Sequence, residues 1–165
     1  QITDAGLKEL TQLQNLQWLN LVDTPITDAG LKELAGLKLR QLIIPDQART
    51  DLGLKHYLAA IQPPTHLDLS KWPITDAALK ELAPLQNLQA LDLSDTPITD
   101  AALPHLAPLQ NLQWLNLSHT LITDDGLPHL AKLKNLQWLN LSLNRITDVG
   151  VRELVKALPN CRIIR

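Results

Sequence analysis

The chain has 165 residues, 45% of them hydrophobic and 19% charged, with a formal net charge of −2, one cysteine and no methionine. A mildly acidic balance argues against nucleic acid as a partner, and no apolar run approaches the ~20 residues that a membrane-spanning helix needs. One thiol excludes an internal disulfide, the amino end lacks the charged, apolar and cleavage regions of a signal peptide, and Gln1 in place of a methionine reads as the start of a processed or trimmed piece.

From the amino end, the phrase Ile-Thr-Asp opens at Ile2, Ile26, Ile74, Ile98, Ile122 and Ile146, the last four spaced by 24 residues. Self-similarity at a fixed period marks a repeat array, whose units stack because none buries its apolar face alone. The first helical segment, with Leu7 and Leu10, has no strand before it, which implies upstream sequence. Two degenerate copies follow at about residues 38–73, one short by a residue after Lys38 and the next, RTDLGLKHYLAAIQPPTHLDLSKWP, carrying a compensating insertion. Pro45, Pro63 and Pro64 predict short strands and a distorted convex side there, so residues 47–64 are expected to open before the regular units. Pro104 and Pro128 fall inside later helical segments and predict helices that are short or start late. Lys8-Glu9, Lys32-Glu33, Lys80-Glu81 and Arg152-Glu153 recur at one repeat position with mixed sign, as on a solvated helix face. The closing ALPNCRII reads as a terminal cap with Cys161 as a buried structural thiol.

Within one regular unit, ITDAALPHLAPLQNLQWLNLSHTL from Ile98, two local patterns alternate. Trp114-Leu115-Asn116-Leu117-Ser118 places its leucines on one face and Trp114, Asn116 and Ser118 on the other, the period-two mark of a strand. Thr99-Asp100 before Leu103 and Leu106 reads as a capped helix start. The expected strands lie near residues 17–21, 41–44, 66–69, 89–93, 113–117, 137–141 and 162–164. The second half of the unit spells L-x-x-L-x-L-x-x-T-x-I, which resembles the leucine-rich repeat with Thr24, Thr96 and Thr120 at the usual Asn or Cys position and Asn144 matching it. In finer type the chain resembles the Ile-Thr-Asp-x-Gly-Leu repeats of large bacterial families and of F-box proteins. Paired strands are ~4.8 Å apart and helices are wider, so the expected fold is an α/β leucine-rich repeat solenoid: one right-handed arc over residues 1–165, about six to seven repeats, with a parallel β-sheet on the concave face and short helices on the convex face. The resemblance implies a partner binder.

Equivalent positions of successive units stand side by side and write out the concave wall. The first open column is Trp18, Gln41, His66, Ala90, Trp114 and Trp138, and the second is Asn20, Ile43, Asp68, Asp92, Asn116 and Asn140. An edge column follows, Asp23, Asp46, Lys71, Asp95, His119 and Leu143. Asp68, Asp92 and Asp95 make the middle acidic, whereas the carboxyl-terminal third is amphipathic. Exposed tryptophan is enriched in binding hot spots, so Trp114 and Trp138 are the expected anchors, Asn116, Asn140 and His119 their polar companions, and Asp68, Asp92, Asp95 and Trp18 further contacts. The competing reading is that duplication copied a Trp that merely covers the strand. Trp72 replaces the turn Thr and is expected to pack in its turn.

Catalytic and metal readings carry less. Asp95, His119 and the serines Ser94, Ser118 and Ser142 can be drawn as a triad, but a flat strand wall offers no oxyanion cradle. Asp68 and Asp92 stand as close as glycosidase carboxylates, a closeness that duplication also produces. His105 and His129 repeat across convex helices without the further ligands that zinc needs, and His56 is expected to pack in the irregular unit. The sequence therefore points to a monomeric, non-catalytic module for a protein or peptide, with no cofactor, no metal, no nucleic acid and no membrane. The alternatives are a structural spacer or engineered scaffold, which the near-identical NLQWLNL copies favour, and the substrate-recognition part of a larger protein such as a ubiquitin-ligase adaptor.

Overall fold

The structure, a computed structural model, describes residues 2–165. The chain divides into two compact units, Gln1–Pro63 and Pro64–Arg165. The first holds α1 (Asp4–Leu7), β1 (Trp18–Asn20), α2 (Asp28–Leu31), β2 (Gln41–Ile43) and α3 (Asp51–Ala60). The second holds β3 (His66–Asp68), β4 (Ala90–Asp92), β5 (Trp114–Asn116), α4 (Leu127–Leu130), β6 (Trp138–Asn140), α5 (Asp148–Ala157) and β7 (Arg162–Ile164). Every expected strand is present, β1 to β6 trimmed to three residues and β7 at its expected bounds, and all pairing is parallel. The pairing forms two sheets, β1-β2 and β3-β4-β5-β6-β7, where the sequence suggested a single run. Pro63 and Pro64 at the boundary bring no backbone donors.

The leucine pattern explains the rungs of the second unit. Leu91, Leu115 and Leu139 at the strand centres are 0% exposed, and Leu93, Leu117, Ile98 and Ile122 close over them from the following turns. Five strands, β1 and β3 to β6, leave by a tight turn whose third residue has positive φ: Asp23, Lys71, Asp95, His119 and Leu143, at 53–63°. The asparagine or aspartate ending the strand steadies this turn by accepting the backbone N–H two residues on, as Asn20 does from Val22 (2.9 Å), Asp68 from Ser70 (2.9 Å) and Asn140 from Ser142 (3.0 Å). The threonine at the ninth repeat position then seals a strand carbonyl, Thr96 Oγ1 donating to Leu93 O (2.7 Å) and Thr120 Oγ1 to Leu117 O (2.9 Å). Asn144 reaches further, donating to both Leu141 O and Leu117 O of the preceding repeat.

The Ile-Thr-Asp phrase is a clamp between repeats. Thr27, Thr99, Thr123 and Thr147 each give a backbone N–H and a hydroxyl to the two oxygens of Asp4, Asp76, Asp100 and Asp124, 23 residues earlier, over 2.5–2.9 Å. The same threonines are the N-caps of their own helical segments. Thr147 Oγ1, for example, accepts from Gly150 N–H (3.2 Å) while it donates to Asp124. The two hydrogen bonds from Thr147 hold the Asp124 carboxyl below the usual carboxylate range, aided by the Arg165 charge and opposed by desolvation. Glycines at Gly30, Gly126 and Gly150 leave room for the clamped carboxylate, because a methyl there would run into Asp4, Asp100 or Asp124.

The helical segments are shorter than the period suggests. Asp76–Leu82 and Asp100–Leu106 are 3-10 throughout, the latter containing Pro104, and α4 starts late, with Pro128 in its first turn. The irregular repeat departs from expectation in the opposite direction: its insertion builds α3, a regular ten-residue helix capped by Thr50 and burying Gly53, Leu54 and Ala60. The convex side there is not distorted, because the added residues complete a helix as long as α5. Trp72 packs at 6% exposure, and His56 Nδ1 meets Asp28 O at 2.8 Å. Cys161 is half-buried where full burial was expected, since it sits on the shoulder of the edge strand β7, and its burial pushes the thiol pKa up.

Two outcomes are expected in the first unit. Amides of α3 should exchange at least ~10-fold more slowly than those of Lys8–Gln12, a 3-10 turn that buries no side chain; hydrogen exchange by mass spectrometry reads this directly. Gly53→Ala should destabilise by about 1–3 kcal/mol despite the ~1 kcal/mol that alanine gains in a helix, because its methyl meets the Ala48 carbonyl oxygen; urea unfolding gives the sign.

Candidate functional site

The five strands of the second unit present their alternate side chains on the open face of the sheet, and register places the expected residues beside one another. Trp114 pairs with Trp138, Ala90 with Trp114, Asp68 with Asp92, and Asn116 with Asn140. The two indoles stack, with ring centroids 4.6 Å apart and planes 2° from parallel. Each therefore shields one face of the other, and both are half-buried. Adjacent parallel strands lie ~4.8 Å apart, so identical flat rings one rung apart meet face to face without adjustment.

Beyond Trp114 the column breaks. Ala90 opens a hollow of about 540 Å³, lined by His66, Leu67, Asp68, Ala90, Asp92 and Trp114. Trp114 walls one side and His66 the other. The carboxylates of Asp68 and Asp92 stand two residues along the strands from His66 and Ala90, and no lysine or arginine lines the space among the described residues. The sequence offered a signal for this feature, one small residue between large ones in a column.

The polar companions have structural work of their own. Asp92 Oδ1 accepts from Ser94 N (2.8 Å) and Ser94 Oγ (2.6 Å), its Oδ2 accepts from Asn116 Nδ2 (3.1 Å), and Asn116 Oδ1 accepts from Ser118 N (3.2 Å). Ser142 Oγ donates to Asn140 Oδ1 (2.8 Å). Two serine hydroxyls of the drawn triad are thus engaged with their own strand ends. His119 Nδ1 contacts Asp95 Oδ1 across one rung on the exposed edge. Leu143, next in that column, is 78% exposed with φ 61°, a left-handed backbone that bulky residues adopt at a cost. Trp18 stands on β1 of the first unit at 70% exposure. Half-buried His105 and His129 remain on the helical side, and no three His, Cys, Asp or Glu side chains converge among the described residues. No helix among them is long and apolar enough to cross a membrane.

Comparison with known proteins agrees with this architecture. Residues 86–146 match the leucine rich repeat family, and residues 12–35 match a second leucine rich repeat family. No curated protein matches the sequence. Among solved structures, an internalin C2 from Listeria monocytogenes is similar over 99% of this chain and 65% of its own, with 30% identity and a TM-score of 0.61. A leucine-rich repeat protein of Leptospira interrogans is similar over 95% of this chain and 39% of its own, at 26% identity and a TM-score of 0.58. An internalin of Listeria monocytogenes at 21% identity and a TM-score of 0.59 shares the fold over 95% of this chain, which spans 49% of that one. The chain thus spans less than two thirds of each of these structures.

Leu143 supplies a test of the edge geometry. Asparagine tolerates the left-handed turn that leucine resists, so Leu143→Asn should raise stability by up to ~1 kcal/mol, read as an upward shift of the thermal midpoint. An unchanged or lowered midpoint would show that the leucine carries no backbone strain.

Proposed function

We propose that this leucine-rich repeat protein is a non-catalytic module that binds a protein or peptide across the concave, open face of Pro64–Arg165, with Trp114 and Trp138 as anchors. One observation carries the reading: a stacked pair of half-exposed indoles stands on the one face of this unit that its helical segments do not cover. Paired aromatic rings form a rigid apolar platform with little rotamer entropy left to lose on binding. Asn116, Asn140, His119, Asp92, Asp95 and Asp68 surround it as a polar rim, and Trp18 is a separate contact on the first unit. We also assign the chain to the 24-residue Ile-Thr-Asp-x-Gly-Leu subfamily, supported by the Asp-to-Thr clamp and the glycine that accommodates it. It acts as a monomer, without cofactor, metal, nucleic acid or membrane.

A second reading has its own support. The strand-end Asp and Asn side chains are engaged in turns, and each indole in the other, as in a spacer whose surface repeats only because its repeats do. Binding experiments separate the two. With a partner recovered by pull-down and titrated calorimetrically, Trp114→Ala and Trp138→Ala should each weaken binding by ~2 kcal/mol or more. The double variant should lose less than the sum, because each ring props the other. Each single change should also lower stability by ~0.5–1.5 kcal/mol as the stack is lost. Lys80→Ala, on the helical side, should change nothing. Undiminished binding by the double Trp variant would overturn the assignment.

A further inference from the structure

The hollow beside Trp114 differs from the rest of the open face in both shape and charge. At β5 and β6 the first open column is tryptophan and the second asparagine, whereas at β4 it is alanine followed by aspartate, with aspartate again at β3. Removal of one ring opens a space of about 540 Å³, within the ~300–1,000 Å³ of small-ligand sites. It leaves one face of Trp114 without a tryptophan neighbour, since its other neighbour in the column is Trp138. The two aspartates put negative charge on the rim. Asp68 spends Oδ1 on Ser70 N–H, and its second oxygen has no donor among the described residues.

An aromatic face, two carboxylates and an apolar floor are the elements that recognise a planar cation. We propose that this hollow seats an arginine side chain of an extended partner peptide, its guanidinium stacked on Trp114 and hydrogen-bonded to Asp68 and Asp92. Charge complementarity selects this occupant. An acidic side chain meets two carboxylates, and a neutral apolar one leaves them desolvated without compensation. Guanidinium fits better than ammonium, because it is planar enough to stack and offers paired donors to carboxylates. The proposal rests on the reading of the open face as a binding surface, and it adds which side chain the partner brings to one place on that face.

The repeat array supplies variants that will fold. Asn20, Asn116 and Asn140 make the strand-end turn that Asp68 and Asp92 make, so Asp68→Asn with Asp92→Asn preserves the turns and removes the charge. Tryptophan already occupies the place of Ala90 on the next two rungs, so Ala90→Trp extends the stack and fills the hollow. The probe is the pentapeptide acetyl-Gly-Gly-Arg-Gly-Gly-amide, with the neutral, nearly isosteric citrulline peptide as its counterpart, titrated by NMR at low salt. The arginine peptide should shift the Trp114 indole and the Ala90 methyl in a saturable way, and citrulline should bind at least tenfold more weakly. The Asp-to-Asn pair should abolish that preference, and Ala90→Trp should abolish binding, with circular dichroism unchanged in both. Equal shifts from the arginine and citrulline peptides, or none at Ala90 and Trp114, would overturn the proposal. A recovered partner distinguishes its failure from failure of the wider reading. If Trp138→Ala prevents capture while the Asp-to-Asn pair and Ala90→Trp bind normally, the arginine seat falls and the interaction module stands.

Discussion

A carboxylate held by the next repeat is the contact on which this architecture turns. Leucine burial drives the repeats together but is non-directional, and a stack of leucine rungs alone could slip. The Asp-to-Thr clamp is directional: two hydrogen bonds converge on one carboxylate, and the donating threonine is also the cap of the following helical segment. Spacing between repeats, start of the helix and register of the strands are thereby fixed at one point. The clamp at Asp124 also has a pH signature. Asp124 has a lowered pKa in the folded state, so its contribution is full above the ordinary carboxylate range and is lost as pH falls through that lowered value.

Once the repeated features are accounted for by stacking, function has to be sought where the repeats differ. The strand-end Asx residues serve the turns after β1 and β3 to β6, Thr96 and Thr120 seal two of them, and this recurrence carries no information about a ligand. On β3 to β6 the departures are histidine and alanine for tryptophan at residues 66 and 90, aspartate for asparagine at 68 and 92, histidine at 119 and leucine at 143. They give one sheet two adjoining characters, an acidic notch and an aromatic shelf, with Trp114 belonging to both.

Much of this was legible in the sequence because a short period constrains local structure strongly. The strand positions followed from alternating leucines, the helix starts from threonine before aspartate, and the open-face columns from simple addition of the repeat length. Three features were not legible, each for a physical reason. Whether Trp114 and Trp138 stack or splay depends on rotamers, which column positions do not specify. The regular helix at Asp51–Ala60 was read as a distorted convex segment because prolines flank it and its repeat length is anomalous, although its Thr50 cap carries the same signal as the others. The double use of threonine, as helix cap and as clamp donor, was half visible: the cap is local in sequence, whereas its carboxylate partner lies a full repeat away.

The central claim is that Asp and Thr in successive repeats act as one unit, and a double-mutant cycle on Asp100 and Thr123 measures it most directly. Asp100→Ala, Thr123→Ala and the double variant, unfolded in urea at neutral pH, should give a coupling energy of about 1–2 kcal/mol, since the hydroxyl-to-carboxylate bond needs both side chains and is lost with either. Strictly additive effects would mean that the threonines only cap their own helices and that leucine packing alone sets the register of the array.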